Sequence, residues 1–338
     1  MRSEITIDLG AVRRNVRRLR HALGASELWA VVKADGYGHG AADVAGAALG
    51  EGALGLCVAT VPEALPLRRT FPGVRILVMG PATDREVARA REAELDLAVS
   101  SLPVPDGLRV HLKLDTGMGR WGLSELPEPP TQVVGLMTHL ATADTDPEFA
   151  GVQLTRFREA TDRWPHLIRH AANSAAALRL RESHFDAARC GVALYGLSPF
   201  GTAPAADGLE PVLRWVSELA AVRRLEPGEG TGYGRRFVAE EPTWIGIVPV
   251  GYADGFRRDM TGTWVLVGDE RRQVVGTVSM DAFAVELGGE LPVGTPVTLV
   301  GGEVLLEDHA RVADTINYEL SSRIESGPLR ARRVVLDA

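Results

Sequence analysis

Of the 37 basic residues in the chain, 35 are arginine and two are lysine, Lys33 and Lys113. Arginine cannot be deprotonated in a protein and so cannot form an imine with an aldehyde. A lysine kept against such a bias marks a place where a titratable primary amine is wanted; the plainer reading is chance survival. Lys33 opens the string Lys33-Ala34-Asp35-Gly36-Tyr37-Gly38-His39-Gly40, and Lys113 leads into Leu114-Asp115-Thr116-Gly117-Met118-Gly119-Arg120. The five tyrosines, at 37, 195, 233, 252 and 318, each stand beside glycine or in a polar, turn-like string. For tyrosine the plainer reading is a buried ring with a satisfied hydroxyl.

Positioning these groups requires a frame. After a first strand (Glu4 to Leu9) and a basic amphipathic helix, short apolar runs alternate with helical patterns. The runs are Leu28–Val32, Leu54–Val58, Val74–Val78, Leu95–Val99, Leu108–Leu114, Val133–Thr138, Leu167–His170 and Phe185–Ala188. Helices are predicted at Ala41–Leu49, Pro62–Arg69, Asp84–Ala93, Phe149–Trp164 and Ser174–Leu180. Eight such units in series predict a (β/α)8 barrel of the TIM type. Two crossovers, Ser100 to Gly107 and Leu123 to Gln132, are short and proline-rich, so bare loops are expected there. The cluster Arg13, Arg14, Arg17, Arg18 and Arg20 reads as the solvated face of the first helix.

Barrel chemistry sits at the C-terminal ends of the strands. By this assignment Lys33, Lys113, Arg120, His139, Asn173, Ser174, Arg189 and Gly191 converge on one mouth. Ser174 is placed to open a helix where free N–H groups favour an anion, and the Gly191-Val192 backbone can approach it closely. An imine-capable amine, a phosphate cradle and an arginine at the far end match pyridoxal 5'-phosphate, an aldehyde carrying a phosphate and a ring nitrogen.

From about Leu213 the pattern changes to apolar stretches split by Gly, Pro and Asp: Trp215–Val222, Trp244–Val250, Val265–Val267, Val274–Val278, Phe283–Leu287 and Val297–Val300. One helix (Glu307 to Ile324) and a last strand (Arg332–Leu336) complete a mostly antiparallel β domain, giving domains of 1–211 and 212–338. A net charge of −7 gives no support to nucleic-acid or membrane-surface binding. No apolar run approaches the ~18 residues of a membrane helix, and the first residues read as strand rather than signal, which predicts a cytoplasmic protein. Cys57 and Cys190 cannot form a disulfide framework or a four-sulfur metal site, so no metal is expected, and they read as small buried residues. Gly117, Gly119 and Gly122 spell a dinucleotide fingerprint, but the following Leu-Ser-Glu-Leu-Pro-Glu-Pro-Pro cannot begin the helix that motif requires.

Over essentially the whole chain the sequence resembles the alanine racemases, pyridoxal-phosphate enzymes built as a barrel plus a β domain. The resemblance is carried by Ala30 through Gly40, Lys113 through Arg120, His139 through Asp144, Ala172-Asn173-Ser174, Gly191 through Gly196, Gly232-Tyr233-Gly234, Gly251 through Gly255, Ser279-Met280-Asp281 and Ile316 through Glu319. It implies that Lys33 binds the cofactor as an imine and moves a proton on one face of the substrate, while Tyr233 of a second subunit serves the other face. Arg189 would face the pyridine nitrogen; Tyr37, Ser174, Gly191, Val192 and Tyr318 would hold the phosphate, with Asn173 a further cofactor-binding residue. His139 would pack on the ring or support Arg189. Arg120, with the partner subunit's Met280, would orient the substrate carboxylate, and Lys113 is either carbamylated or a plain structural lysine. Tyr252 is left between packing and a site role. The implied activity is interconversion of L- and D-alanine by a homodimer, supplying peptidoglycan. The alternatives are a racemase of another small amino acid such as serine, a related decarboxylase, or a non-catalytic cofactor carrier. Against the family's pattern, the chain has shortened crossovers and a Ser322-Arg323-Ile324-Glu325-Ser326-Gly327-Pro328 tail.

Overall fold

In the computed structural model, which describes residues 2–337, strand β1 (Ser3–Asp8) precedes eight parallel strands closed into a barrel. These are β2 (Glu27–Val31), β3 (Gly55–Val58), β4 (Arg75–Val78), β5 (Asp96–Val99), β6 (Val110–Lys113), β7 (Val133–Met137), β8 (Ile168–His170) and β9 (Ala187–Cys190). β2 pairs with β9 and closes the ring. β3, β5, β6 and β9 are buried along their full length, as expected where helices cover the outside and side chains fill the inside. All eight predicted runs coincide with barrel strands to within a few residues.

Helices cover much of the wall. In Leu9–Leu23, Leu9, Val12, Val16, Leu19 and Leu23 recur at helical spacing and are all buried. Its arginine face is solvated in part, with Arg17 bonded to Glu51 at 2.8 Å. Val61–Thr70 and Asp84–Glu92 each start with a capping box, Thr60 with Glu63 and Thr83 with Glu86. No helix joins β5 to β6 or β6 to β7. Each bare crossover leaves a cleft in the outer wall. One of about 500 Å³ lies between helix Asp84–Glu92 and the Ser100–Pro105 loop. The other, about 480 Å³, lies between Ser124–Leu126 and helix Pro147–Thr161.

The remaining strands are β10 (Leu213–Glu218), β11 (Ala221–Leu225), β12 (Gly230–Thr231), β13 (Phe237–Val238), β14 (Thr243–Val248), β15 (Trp264–Val267), β16 (Glu270–Val275), β17 (Phe283–Leu287), β18 (Pro296–Val300) and β19 (Arg332–Leu336). Nine strands form one sheet in the order β11-β14-β17-β16-β15-β18-β10-β1-β19, antiparallel except for β1 with β19. The chain divides into two units, Val12–Phe200 with Asp207–Leu209, and Met1–Ala11 with Gly201–Ala206 and Glu210–Ala338. The expected division at residue 211 is therefore corrected at the front: β1 hydrogen-bonds into the β sheet and belongs to the second unit, as does Gly201–Ala206. The predicted Trp215–Val222 strand is two strands, because pairing passes from β18 to β14 at Leu219-Ala220, where the Leu219 N–H donates to the Thr295 carbonyl and the Ala220 N–H to the Ile247 carbonyl. The predicted helix Glu307–Ile324 is also two, Leu306–Val312 and Asn317–Ser322, separated at Asp314, whose φ of 48° breaks the right-handed path. Among the described residues no helix is long and apolar enough to cross a membrane.

Inside the barrel, Gly135 of β7 makes room for His111 of β6. A Cβ at 135 would lie 2.2 Å from His111 Nδ1 and 3.0 Å from the Ile168 carbonyl oxygen. Gly135→Ala is expected to cost about 1–3 kcal/mol through overpacking, read as a lowered urea midpoint. An unchanged midpoint would show that the interior can relax around the methyl group.

Candidate active site

Lys33 lies two residues past the end of β2, and the chain then winds the wrong way. Ala34, Asp35, Gly36 and Tyr37 all have φ between 50° and 62°. A left-handed turn costs roughly 1–2 kcal/mol for each residue that carries a Cβ, so it needs support from outside. Glu63 Oε1 accepts from the Ala34 N–H at 2.8 Å, and Asp35 Oδ1 accepts from the Ala41 N–H at 2.9 Å. The same Glu63 carboxylate caps helix Val61–Thr70. The turn leaves the Lys33 amine 5.9 Å from the centre of the Tyr37 ring. Burial holds that amine below the ordinary lysine pKa, the Arg120 charge lowers it further, and Glu63 opposes both.

The Tyr37 ring is buried beside Tyr195, with centroids 4.9 Å apart. Its hydroxyl lies against Gly191, where a Cβ would come within 2.5 Å of the phenol oxygen. Ser174 Oγ accepts from the Gly191 N–H at 3.0 Å and the Ala193 N–H at 3.4 Å. The helix after β8 is capped by Asn173, whose Oδ1 accepts from the Ala176 N–H at 3.0 Å. Ser174 opens the helix as expected, standing as its first residue behind the Asn173 cap, and its Oγ ties the backbone from Gly191 to Ala193 in place. Tyr37, Asn173, Ser174, Gly191 and Val192 are thus gathered at neighbouring strand ends.

Arg189, on β9, is 3 % exposed. Its Nη1 donates to His170 Nδ1 at 2.7 Å and to the His170 carbonyl at 2.8 Å. Its Nη2 donates to the Thr138 carbonyl at 2.7 Å and lies 3.3 Å from His139 Nδ1. Among the described residues, Nε is the guanidinium nitrogen left without a protein partner. Burial lowers the Arg189 pKa to about 10, which still leaves it cationic at neutral pH. His139 is held well below the ordinary histidine value by burial and by the charges of Arg189, Lys113, Arg120 and Lys33, so its ring is neutral.

Lys113 ends β6, and its amine lies 5.5 Å from the centre of the Trp121 ring; the Arg120 guanidinium lies 5.2 Å from the same ring. Burial, then Arg189 and Arg120, lower the Lys113 pKa to about 8, against a small opposing effect of Asp115. Asp115 is occupied otherwise, accepting from the N–H groups of Gly117, Met118 and Gly119 at 2.8 to 3.1 Å. It thereby shapes the loop that presents Arg120. Buried Gln153 fastens this loop to the next, donating to Thr116 Oγ1 and the His139 carbonyl while accepting from the Ala141 N–H. Gly117-Met118-Gly119-Arg120 is a loop with no helix behind it.

The second unit carries Tyr233, Met280 and Tyr318. Tyr233 is 74 % exposed, Met280 50 % and Tyr252 42 %. Their loops are joined: Thr277 Oγ1 donates to the Tyr233 carbonyl, the Tyr252 N–H to the Ser279 carbonyl, and the Ala253 N–H to the Met280 carbonyl. Tyr318 stands in the first turn of helix Asn317–Ser322 of the same unit. Cys57 and Cys190 are buried free thiols whose pKa burial raises to about 12, so they are unreactive. Among the described residues no cluster suits a metal ion.

Four residues at the barrel mouth escaped the sequence reading: Glu63, Trp121, Gln153 and His170. Only His170 left a trace, as a histidine at the end of an apolar barrel strand.

Comparison with known proteins is consistent over the whole length. The family model for the N-terminal domain of alanine racemase matches residues 7–199, and that for its C-terminal domain matches 212–334. The alanine racemase of Beutenbergia cavernae is 40 % identical over 94 % of this chain and 94 % of its own. Alanine racemase 1 of Bacillus subtilis is 39 % identical over 95 % and 90 %. The solved alanine racemase from Streptomyces coelicolor superimposes with a TM-score of 0.90 at 39 % identity, covering 100 % of this chain and 98 % of that one. The biosynthetic alanine racemase from Pseudomonas aeruginosa gives 0.90 at 34 % identity over the whole of both chains.

Proposed function

The chain belongs to the alanine racemase family, and on that premise we propose that it interconverts L- and D-alanine with two bases, Lys33 and a second copy's Tyr233, around pyridoxal 5'-phosphate at the barrel mouth. One observation carries the reading: a lysine amine held below its ordinary pKa shares a mouth with a backbone cradle and a buried guanidinium. The residues fit the cofactor. The Gly191 face, which a Cβ would close, suits a phosphate between Tyr37 and Ser174, with Asn173 and Val192 beside it and Tyr318 as a further partner. Arg189 has Nε–H to offer a ring nitrogen and nothing with which to give that nitrogen a proton. When bound, the cofactor supplies the electron sink that acidifies the substrate's α-proton.

Lys33 Nζ takes or returns the α-proton on one face, for which it must be uncharged when it accepts the proton, and its lowered pKa serves that need. A single base would return the proton to the face it came from. The Tyr233 phenol oxygen therefore serves the opposite face, and its exposure suits a group that completes a neighbouring subunit's site. Arg120 and the partner's Met280 orient the substrate carboxylate. Arg189 keeps the sink weak, which disfavours decarboxylation and transamination, and His139 remains a neutral support. Lys113 is the proposed carbamylation site: its Nζ, uncharged, bonds to the carbon of CO2 and releases a proton to solvent, and the new carboxylate faces Arg120. Production of D-alanine for peptidoglycan is the proposed role.

Incubation with L-alanine in deuterated water should give α-deuterium and loss of optical activity. Release of CO2, or no exchange with alanine but exchange with serine, would overturn the alanine assignment. Mixing inactive Lys33→Ala and Tyr233→Phe proteins should restore part of the activity, up to about a quarter if one intact site forms per mixed dimer. No recovery despite proven subunit exchange would exclude shared sites. With 13C-bicarbonate, a carbamate carbon signal is expected that Lys113→Arg abolishes; a spectrum without it leaves Lys113 an ordinary amine.

A further inference from the structure

Arg189 is a buried cation, and among the described residues no carboxylate touches it. Burying an unpaired charge is costly, so its compensation must lie elsewhere. It lies at the other end of the barrel. His170 Nε2 is 2.8 Å from His111 Nδ1, and His111 Nε2 is 3.3 Å from Asp96 Oδ2. Asp96 begins β5, His111 lies within β6, and His170 ends β8, so the series runs from strand starts to strand ends. Asp96, His111 and His170 are fully buried, and the Trp29 ring walls the two imidazoles at 4.7 and 5.7 Å.

The proton positions follow from the ends. A guanidinium only donates, so His170 Nδ1 must accept from Arg189. His170 then carries its proton on Nε2 and donates to His111 Nδ1. His111 in turn carries its proton on Nε2 and donates to Asp96, which accepts. Every link is satisfied with both rings neutral and the same tautomer in each. Burial favours neutral rings, lowering the pKa of both histidines. Burial alone would raise the pKa of Asp96, but hydrogen bonds from His111 and Arg109 and the charge of Arg109 lower it, so the carboxylate is ionised. Arg109 Nε lies 2.7 Å from Asp96 Oδ1 and Arg75 Nε 3.4 Å from Oδ2, which fixes the carboxylate in turn.

We propose that Asp96 and His111 are positioning residues for Arg189: the carboxylate dictates the tautomer of two linked imidazoles, and these hold the guanidinium by its terminal nitrogens so that Nε is left for the cofactor ring. The cofactor part of this rests on the function proposed above; the proton order does not.

The test is nitrogen NMR of holoenzyme labelled with 15N-histidine, together with Asp96→Asn, Asp96→Leu and His111→Phe. In the wild type, both rings should be protonated at Nε2 alone. Asp96→Asn retains an acceptor and should keep that order and the visible absorption of the bound cofactor. Asp96→Leu and His111→Phe should let His170 take the other tautomer, move the cofactor band, and lower kcat about 10- to 100-fold with KM for alanine changed by no more than about threefold. An Nδ1 proton or a charged ring in the wild type overturns the proposal, as does a folded Asp96→Leu or His111→Phe enzyme with an unmoved band and unchanged kcat. If neither of those variants folds, the wild-type and Asp96→Asn tautomers still decide. A protein that binds no pyridoxal phosphate would defeat the functional reading while leaving the tautomers to be read.

Discussion

Four cationic groups, Lys33, Lys113, Arg120 and Arg189, are drawn together at one end of the barrel, and the rest of the molecule has to hold them there. At an effective dielectric near 20, two like charges about 6 Å apart repel by about 3 kcal/mol. The strain shows in the amines, both lowered by burial and by their cationic neighbours. The nearby carboxylates are committed to other work: Asp115 holds three backbone N–H groups, and Glu63 holds the left-handed turn and a helix start. A mouth so arranged is complementary to a ligand bringing two negative groups, such as a phosphate and a carboxylate. The same repulsion supplies a reactive amine, because whatever disfavours the charged lysine favours the nucleophilic one.

Rigidity at this site is bought with strain and with buried polar bonds. Three of the four residues after Lys33 that wind left-handed carry a Cβ, a conformation that persists only where neighbours over-determine it. Gln153 and Asp115 do for the Arg120 loop what Glu63 and Asp35 do for the Lys33 turn. The mouth is therefore set by hydrogen bonds between consecutive βα loops. Two of the bonding side chains, Glu63 and Gln153, come from the outer helices Val61–Thr70 and Pro147–Thr161, whereas the crossovers after β5 and β6 carry no helix. The lack of helices there opens clefts on the outside of the wall, while the strands they would have covered still pair on both sides.

The second unit follows a different logic. Its sheet is built around buried residues such as Trp215, Phe256 and Phe283, the last two stacked with centroids 4.3 Å apart. Its outward loops instead expose a phenol and a thioether, at Tyr233 and Met280.

Much of this was written in the chain order. The barrel was legible because buried parallel strands are short apolar runs, and because proline in a short crossover forbids a helix. Lys33 and Lys113 stood out because the chain uses arginine for every other basic position. The family motifs then singled out Tyr233, Arg189 and the strings around Tyr37, Ser174 and Gly191. What only the tertiary structure decided depends on distance in sequence. The membership of β1 in the far sheet rests on backbone pairing with residues more than 200 positions away, which no local pattern encodes. Asp96, His111, His170 and Arg189 come from four different strands, and the first three alone look like ordinary polar residues in apolar runs. Their order as donors and acceptors exists only once the barrel closes, since a hydrogen bond is fixed by where its two ends are brought together.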